Sequence, residues 1–318
     1  MVEKCFKNHI SFQDARNRAF SHLMSKEHYS RQLANYCDYE MKIGLKGADN
    51  SKVDEKIDDI MNIFKCLNNK MVFQFEYTKK LSDRLLANKT LSLDSEKKLI
   101  TKLKVEQGVS YVSKLATMMD DLENTSTIMD LYRTQDNKNI FIAQILQNGA
   151  WEIEKYKFEK INFPSNMKDM ISSFETFYFK KYKSHKLYWA NLLGTTEIVY
   201  SNYLKKRYQS TSTPIQYCIL LLLEKAYKNK NLTVEEISAK LALSLNNNVI
   251  ISEIMGLIYS PSFNPKKDSK NGIILSNDVN SSTDEVTMKS EIWLNENFSS
   301  NSIKFNTIPS IVKVSNYY

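Results

Sequence analysis

The sequence predicts a mainly α fold with a smaller α/β part: a helical bundle, then an α/β sheet domain, then a winged helix followed by a last strand. Three observations carry that prediction. All five prolines (Pro164, Pro214, Pro261, Pro265, Pro309) lie beyond residue 163, which spares the first half the cost of about 3 kcal/mol that proline imposes on a helix interior. Apolar residues of that half recur at i, i+3 and i+4, the spacing of one helix face. After residue 138, short β-tolerant runs alternate with helical ones. A chain of 318 residues fits about two ordinary domains or three small ones. The expected boundaries are 1–138 for the bundle, 139–212 for the α/β part, 213–290 for the winged helix and 291–318 for the closing strand.

The bundle opens with Phe12, Ala15, Ala19, Phe20, Leu23 and Met24 on one stripe behind a cap at Ser11. Leu33, Tyr36, Cys37 and Met41 continue in helical spacing to a stop at Gly44. Ser51, with Asp54 three residues on, opens a third helix bearing Val53, Ile57, Ile60, Met61, Phe64 and Leu67. Residues 72–87 repeat the pattern through Phe73, Tyr77, Leu81, Leu85 and Leu86. Asp94 caps a fifth helix with Leu99, Ile100 and Leu103, closed by Gly108, and a sixth covers residues 111–122. Each stripe reads as core.

Residues 140–146 are short and apolar and end at Asn148-Gly149, a turn signal. Residues 171–182 read as a helix, and 186–189 and 197–203 as two strands around a turn at Gly194. Thr213-Pro214, a cap with proline at the first helical position, opens a helix over 215–227. Thr233-Val234-Glu235-Glu236 has the capping-box pattern and opens a short helix to Leu243. A third helix covers 249–259, strand-like runs at 272–275 and 285–288 flank a polar stretch, and 303–311 is the last β-like run. Three helices and then a hairpin is the order of a winged helix.

Composition excludes several classes. Hydrophobic residues at 42% and charged residues at 25% are ordinary for a globular chain rather than a disordered or fibrous one. No run reaches the ~18 apolar residues of a membrane span, and the N-terminus lacks the apolar core of a secretory signal, so no membrane partner is expected. Cys5, Cys37, Cys66 and Cys218 form no CxxC pair, and His9, His22, His28 and His185 are scattered. That argues against a disulfide framework or a zinc site and for a reducing compartment. The seven glycines build neither GxGxxG nor GxxxxGK[ST], and there is no GxSxG elbow. No cofactor and no catalytic residue is assigned, and binding or scaffolding leads.

The net charge of +8 is uneven: residues 155–207 hold eleven Lys/Arg against four Asp/Glu. The basic side chains cluster at Lys180, Lys181, Lys183 and Lys186, then at Lys205, Lys206 and Arg207, among Phe177, Tyr178, Phe179, Tyr182, Tyr188 and Trp189. Such a surface serves an acidic partner or nucleic acid alike. A DNA-reading winged helix would need Lys or Arg on its third helix. Residues 249–259 carry none, one acid (Glu253) and six large hydrophobes, which points to burial instead. Nucleic-acid binding through the basic 155–207 surface stays as the alternative reading.

Several segments share a further pattern. They are Cys5-Phe6, Ala19-Phe20, Leu33-Ala34-Asn35-Tyr36-Cys37-Asp38, Ile63-Phe64-Lys65, Phe73-Gln74-Phe75-Glu76-Tyr77 and Leu81-Ser82-Asp83-Arg84-Leu85-Leu86. Residues 99–105 with Gly108 follow, then Tyr111, Lys114, Leu115 and Met118. In the second half come Ile145-Leu146, Gly149 and Trp151; Phe174, Phe177, Tyr178, Lys186, Leu187 and Trp189; Gln216 with Ile219-Leu220-Leu221; and Asp284-Glu285-Val286. In this order the chain resembles the C-terminal half of the cullins, scaffolds of multi-subunit ubiquitin ligases, over nearly its whole length. Asp83 where the family is basic, Glu152 where it has proline, and Ser184-His185 in place of Gly-Arg mark a divergent member.

The resemblance implies a non-catalytic scaffold that holds a RING-box-type subunit and helps position an E2 ubiquitin-conjugating enzyme, in the cytoplasm and nucleus. The family's sheet accepts a strand from the RING subunit, so 186–190, 197–203 and 303–311 are its expected strands, the last returning to the sheet. Lys186, Leu187, Tyr188, Trp189, Glu197, Ile198 and Val199 are the expected contacts. Lys180, Lys181, Lys183, Lys205, Lys206 and Arg207 are the expected basic surface for the E2. The adaptor-binding repeats and the second winged helix with its modifier-accepting lysine have no counterpart here, so the chain is expected to be a fragment, with Lys313 a poor substitute acceptor.

Overall fold

A computed structural model describes residues 5–7, 9–135, 141–153, 161–201, 206–226, 231–243, 247–260, 262, 272–278 and 286–309. Two compact units divide the chain, 1–154 and 155–318.

The first unit is helical: α1 (Ile10–Leu23), α2 (Glu27–Tyr39), α3 (Asn50–Lys65), α4 (Lys70–Leu86), α5 (Leu93–Gln107) and α6 (Val109–Gln135). α2 packs on α3 and α4, α5 on α3 and α6, and α4 on α6. From α2 onward the 3.6-residue stripes face the core, apart from Tyr36, which is exposed. Leu33 and Cys37, Ile57, Ile60 and Phe64, Phe73, Tyr77 and Leu81, Leu99 and Leu103, and Leu115 and Met118 share one core. Caps sit slightly earlier than expected: Asp49 accepts from the Lys52 amide at 2.8 Å, and Ser92 rather than Asp94 starts α5. His9, not Ser11, caps α1. The stripe on α1 is a correction, because Phe12, Phe20 and Leu23 stay exposed and no α1 residue is buried. Phe6 stacks on Phe12, with ring centroids 4.1 Å apart, and both rings remain exposed.

α6 runs well past residue 122, and residues 141–147 form no strand. Instead they lie along α6, where Ile145 exchanges bonds with Thr125 Oγ1 (3.0 and 3.2 Å) and the Gln147 amide reaches Asp121 Oδ2 (2.7 Å). The same carboxylate accepts from Trp151 Nε1 at 2.7 Å, which seats the indole in the helical core.

A buried ion network joins three of the sequence segments listed above. Arg84, 0% exposed, donates from Nε and Nη2 to the two oxygens of Glu96, each at 2.9 Å, and from Nη1 to Asp38 at 2.7 Å. Tyr77 and Thr90 hydroxyls also donate to Glu96 (2.9 and 2.8 Å). Burial works against charge on Arg84, but Tyr77 and Glu96 outweigh it and raise its proton affinity. Burial likewise opposes ionisation of Asp38, yet hydrogen bonds from Lys42 and Arg84 hold its carboxyl below the ordinary range.

The second unit contains α7 (Ser165–Lys181), β1 (Thr196–Ser201), β2 (Arg207–Ser212), α8 (Pro214–Ala226), β3 (Leu232–Thr233), α9 (Val234–Leu241), α10 (Asn247–Tyr259), β4 (Ile274–Ser276), β5 (Glu291–Leu294) and β6 (Lys304–Asn306). Its strands form two sheets, ordered β1-β2-β6 and β3-β5-β4. The fold is thus a helical domain followed by an α+β domain. Thr233 and Glu236 close the capping box at α9, and Thr213 and Gln216 make a reciprocal pair at the start of α8. The partner of β4 is Glu291–Leu294, not residues 285–288, because Ile292 and Trp293 supply the apolar surface that pairs with Leu275 and Ser276. Residue 285 itself lies outside the described residues.

Candidate functional site

The sheet β1-β2-β6 and the chain leading into it hold the residues singled out from sequence. α7 ends where the Tyr182 amide bonds back to Tyr178 (2.8 Å) and its backbone leaves the helical region. Lys180 and Lys181 in that last turn sit where the helix dipole favours cations. Beyond it, the rings of Tyr182 and His185 stack with centroids 5.1 Å apart, and the Tyr178 hydroxyl meets His185 Nδ1 at 3.0 Å.

Residues 186–190 are not a strand. They run beside α7, with Trp189 Nε1 donating to Glu175 Oε1 (2.7 Å) and its ring set edge-on to Phe174. Leu187 and Trp189 are half-buried, whereas Lys186 and Tyr188 are exposed, Tyr188 by 65%. The alternation that reads as a strand comes from packing against a helix. The place beside β1 is taken by β2, whose Tyr208, Ser210 and Ser212 are buried while Arg207 is exposed. Gly194 makes the approach to β1 feasible, since a Cβ there would come 2.9 Å from the Pro214 ring.

β1 and β2 pair antiparallel, with Thr196 opposite Ser212 and Ile198 opposite Ser210; β2 and β6 pair parallel, with Ser210 opposite Phe305. On β2, Gln209 and Thr211 turn their backbone groups toward β6: the Gln209 amide bonds Ile303 O (2.9 Å), and Thr211 O accepts from Thr307 (3.0 Å). Tyr208, Ser210 and Ser212 therefore address Tyr200, Ile198 and Thr196. By the same alternation Glu197, Val199 and Ser201 point their N–H and C=O groups away from β2, along the side of β1 that no strand among the described residues covers. Their side chains are exposed, Val199 by 67%, and Glu197 Oε2 accepts from Gln209 Nε2 at 3.0 Å. On the inner face Tyr200, Tyr208, Phe298 and Phe305 cluster with centroids 5.2–6.3 Å apart. Burial pushes the Tyr200 hydroxyl well above its usual proton affinity.

Lys180, Lys181, Lys183, Lys186, Lys206 and Arg207 are exposed. Among the described residues no Asp or Glu forms an ion pair with Lys180, Lys181, Lys183, Lys186 or Arg207. Lys181 Nζ lies 5.4 Å from the Tyr182 ring, and Lys206 Nζ lies 5.2 Å from the Tyr208 ring while donating to Ser300 O (3.1 Å). Lys205, residues 310–311 and Lys313 lie outside the described residues, so the closing strand is seen as Lys304–Asn306. Sequence reading missed β2 and the outward-facing Ser201. The signal for β2 was faint: Tyr208 is its one large apolar residue, and its buried positions are otherwise serines.

No three His, Cys, Asp or Glu converge on a metal geometry among the described residues. Among the described residues no strand pairs with the outer side of β1, and exposed cations lie on and after α7. Residues 1–129 match the cullin alpha solenoid domain, and residues 145–298 match the cullin alpha+beta domain. The chain belongs to the cullin family. It is 28% identical to Cullin-3B of Arabidopsis thaliana over 227 residues, which is 70% of this chain and 31% of that protein. To Cullin-5 of Dictyostelium discoideum it is 28% identical over 268 residues (76% and 36%), and to Cullin-4A of Mus musculus 30% over 202 residues (61% and 26%). The match therefore spans between a quarter and just over a third of these relatives' length.

Proposed function

We propose that this chain is a non-catalytic scaffold segment of a cullin-RING-type ubiquitin ligase, and that its β1 edge holds the RING-box-type subunit. The single observation that carries the reading is the outward row of backbone groups at Glu197, Val199 and Ser201, in the part of the chain that matches the cullin alpha+beta domain. Addition of a strand there supplies affinity through main-chain hydrogen bonds and register through alternate side chains. The rest of that domain, three helices and an antiparallel strand pair, is read as the winged helix. The exposed lysines on and after α7 serve as a landing surface for an acidic E2, raising encounter rate more than affinity. The nucleic-acid reading gains no support from α10, which bears neither Lys nor Arg and buries Ile250, Ile254, Leu257 and Ile258.

The test is Val199→Pro. Proline removes an amide that faces away from β2, so the β1–β2 ladder survives while strand addition is blocked. Capture of a RING-box-type subunit should fall at least about tenfold, the equivalent of losing about 1.4 kcal/mol, with the melting temperature nearly unchanged. Undiminished capture by the variant would sink the assignment of this edge, and tight, salt-sensitive binding of DNA by the wild type would favour the alternative.

A further inference from the structure

The second unit buries a carboxylate that the proposed docking surface does not use. Glu253 lies on α10, 8% exposed, and its Oε2 accepts from Thr213 Oγ1 at 2.7 Å. Around it is a knot of neutral groups. Gln216 Nε2 donates to the carbonyls of Glu253 (3.0 Å) and Thr307 (2.9 Å), and Gln216 Oε1 accepts from the Thr213 amide (3.1 Å) and Thr307 Oγ1 (2.7 Å). Thr307 Oγ1 also meets Ser212 Oγ at 2.8 Å, and its amide bonds Thr211 O. The knot thus ties the ends of β2 and β6 to α8 and α10. It is closely packed, because a Cβ on Gly256 would fall 2.5 Å from Thr307 O and 2.7 Å from Gln216 Nε2.

We infer that Glu253 is a proton-operated clasp on the sheet: protonated, it sits quietly among Thr213, Gln216 and Thr307; ionised, it loosens their hold on β2 and β6. The charge would have one hydroxyl for support in an otherwise uncharged, water-poor setting, and an unpaired buried charge is costly. Burial pushes this carboxyl up to about 7, with the Thr213 hydroxyl pulling the other way. The charged residues of the neighbouring helices are Glu224 and Lys225 on α8 and Glu235, Glu236 and Lys240 on α9, and burial and the Thr213 hydroxyl are what set the direction of the shift. Cys218 on α8 is a buried thiol pushed up to about 12. The sign follows from proton counts. Between the ordinary glutamate range and about 7 the folded state binds the proton that the opened state releases, so the clasp's contribution is full at low pH and drains away as pH rises.

The inference is independent of what docks on β1 and is tested in the chain alone. Amide-exchange protection of Gln209 and Thr307, corrected for intrinsic rates, should fall on the order of a hundredfold from pH 5 to pH 8. In Glu253→Gln it should stay level, while amides of the helical unit serve as reference. A glutamate side-chain carbon resonance should titrate near pH 7 and be missing from that variant. Parallel protection profiles in the two proteins, or titration of Glu253 in the ordinary carboxylate range, would overturn the clasp.

Discussion

The two units bury polar groups at comparable depth but by opposite means. In the helical unit, Arg84 is charged and is met by two carboxylates, each hydrogen-bonded again by Tyr77, Thr90 or Lys42. In the second unit, Gln216 is neutral and its amide is met by carbonyls and hydroxyls, with Glu253 as the lone ionisable member. A paired charge is secure against pH within the ordinary range, yet it fails badly when one partner is removed. A neutral network fails more gently but admits a proton switch. On the clasp inference, the sheet unit would carry a hold that pH adjusts, whereas the ion network of the helical unit would not respond within the ordinary range.

The comparison breaks or sharpens under graded substitution. Arg84→Ala should have the largest effect, about 3–5 kcal/mol, because it strands the fully buried Glu96, while Asp38 keeps Lys42; the denaturant midpoint of the helical unit reads it. Replacing Arg84 by Met together with Glu96 by Leu should recover most of that loss, since no buried charge is then left alone. Gln216→Leu should cost less, about 1–3 kcal/mol, by leaving the Thr213 amide and the Thr307 carbonyl unsatisfied. If Gln216→Leu proved the costlier of the two, the contrast between the units would be inverted.

The smallest effect on stability belongs to the exposed lysines. Reversing Lys180, Lys181 and Lys183 to Glu should cost only about 1 kcal/mol, mostly because Lys180 and Lys181 lie in the last turn of α7 where the dipole favours cations. The same change should slow E2-dependent ubiquitin-chain formation at low salt and matter little at high salt, where screening shortens the reach of charge. Unchanged rates at low salt would remove these residues from the E2 surface.

The helices were legible wherever their apolar stripe had a core to face. Ile57, Ile60 and Phe64 on α3 announce themselves by spacing alone and are fully buried. On α1 the same spacing leads to an exposed stripe, because periodicity says which residues share a face and not what covers it. Strands were harder. Residues 186–190 alternate like a strand, but Trp189 is turned toward α7 and Leu187 is half-buried with it, and a short extended segment against a helix gives the same period of two. β2 hides its burial behind Ser210 and Ser212, which hydropathy counts as polar. Arg84 and Glu96 stand twelve residues apart with no local sign of pairing. Only the turn of the chain between α4 and α5 brings them together.

The outer side of β1 also has a bearing on how such a chain changes over time. Its outward groups at Glu197, Val199 and Ser201 are amides and carbonyls, present whatever side chain each position carries. The affinity proposed for an added strand would therefore depend little on which side chains these positions carry, although side chains still set its register. The three residues can be exchanged for any others that keep an extended conformation, proline apart, and the same row of donors and acceptors is offered. What must be preserved is the alternation that sends every second residue outward, so inserting one residue within β1 would harm this edge more than rewriting several.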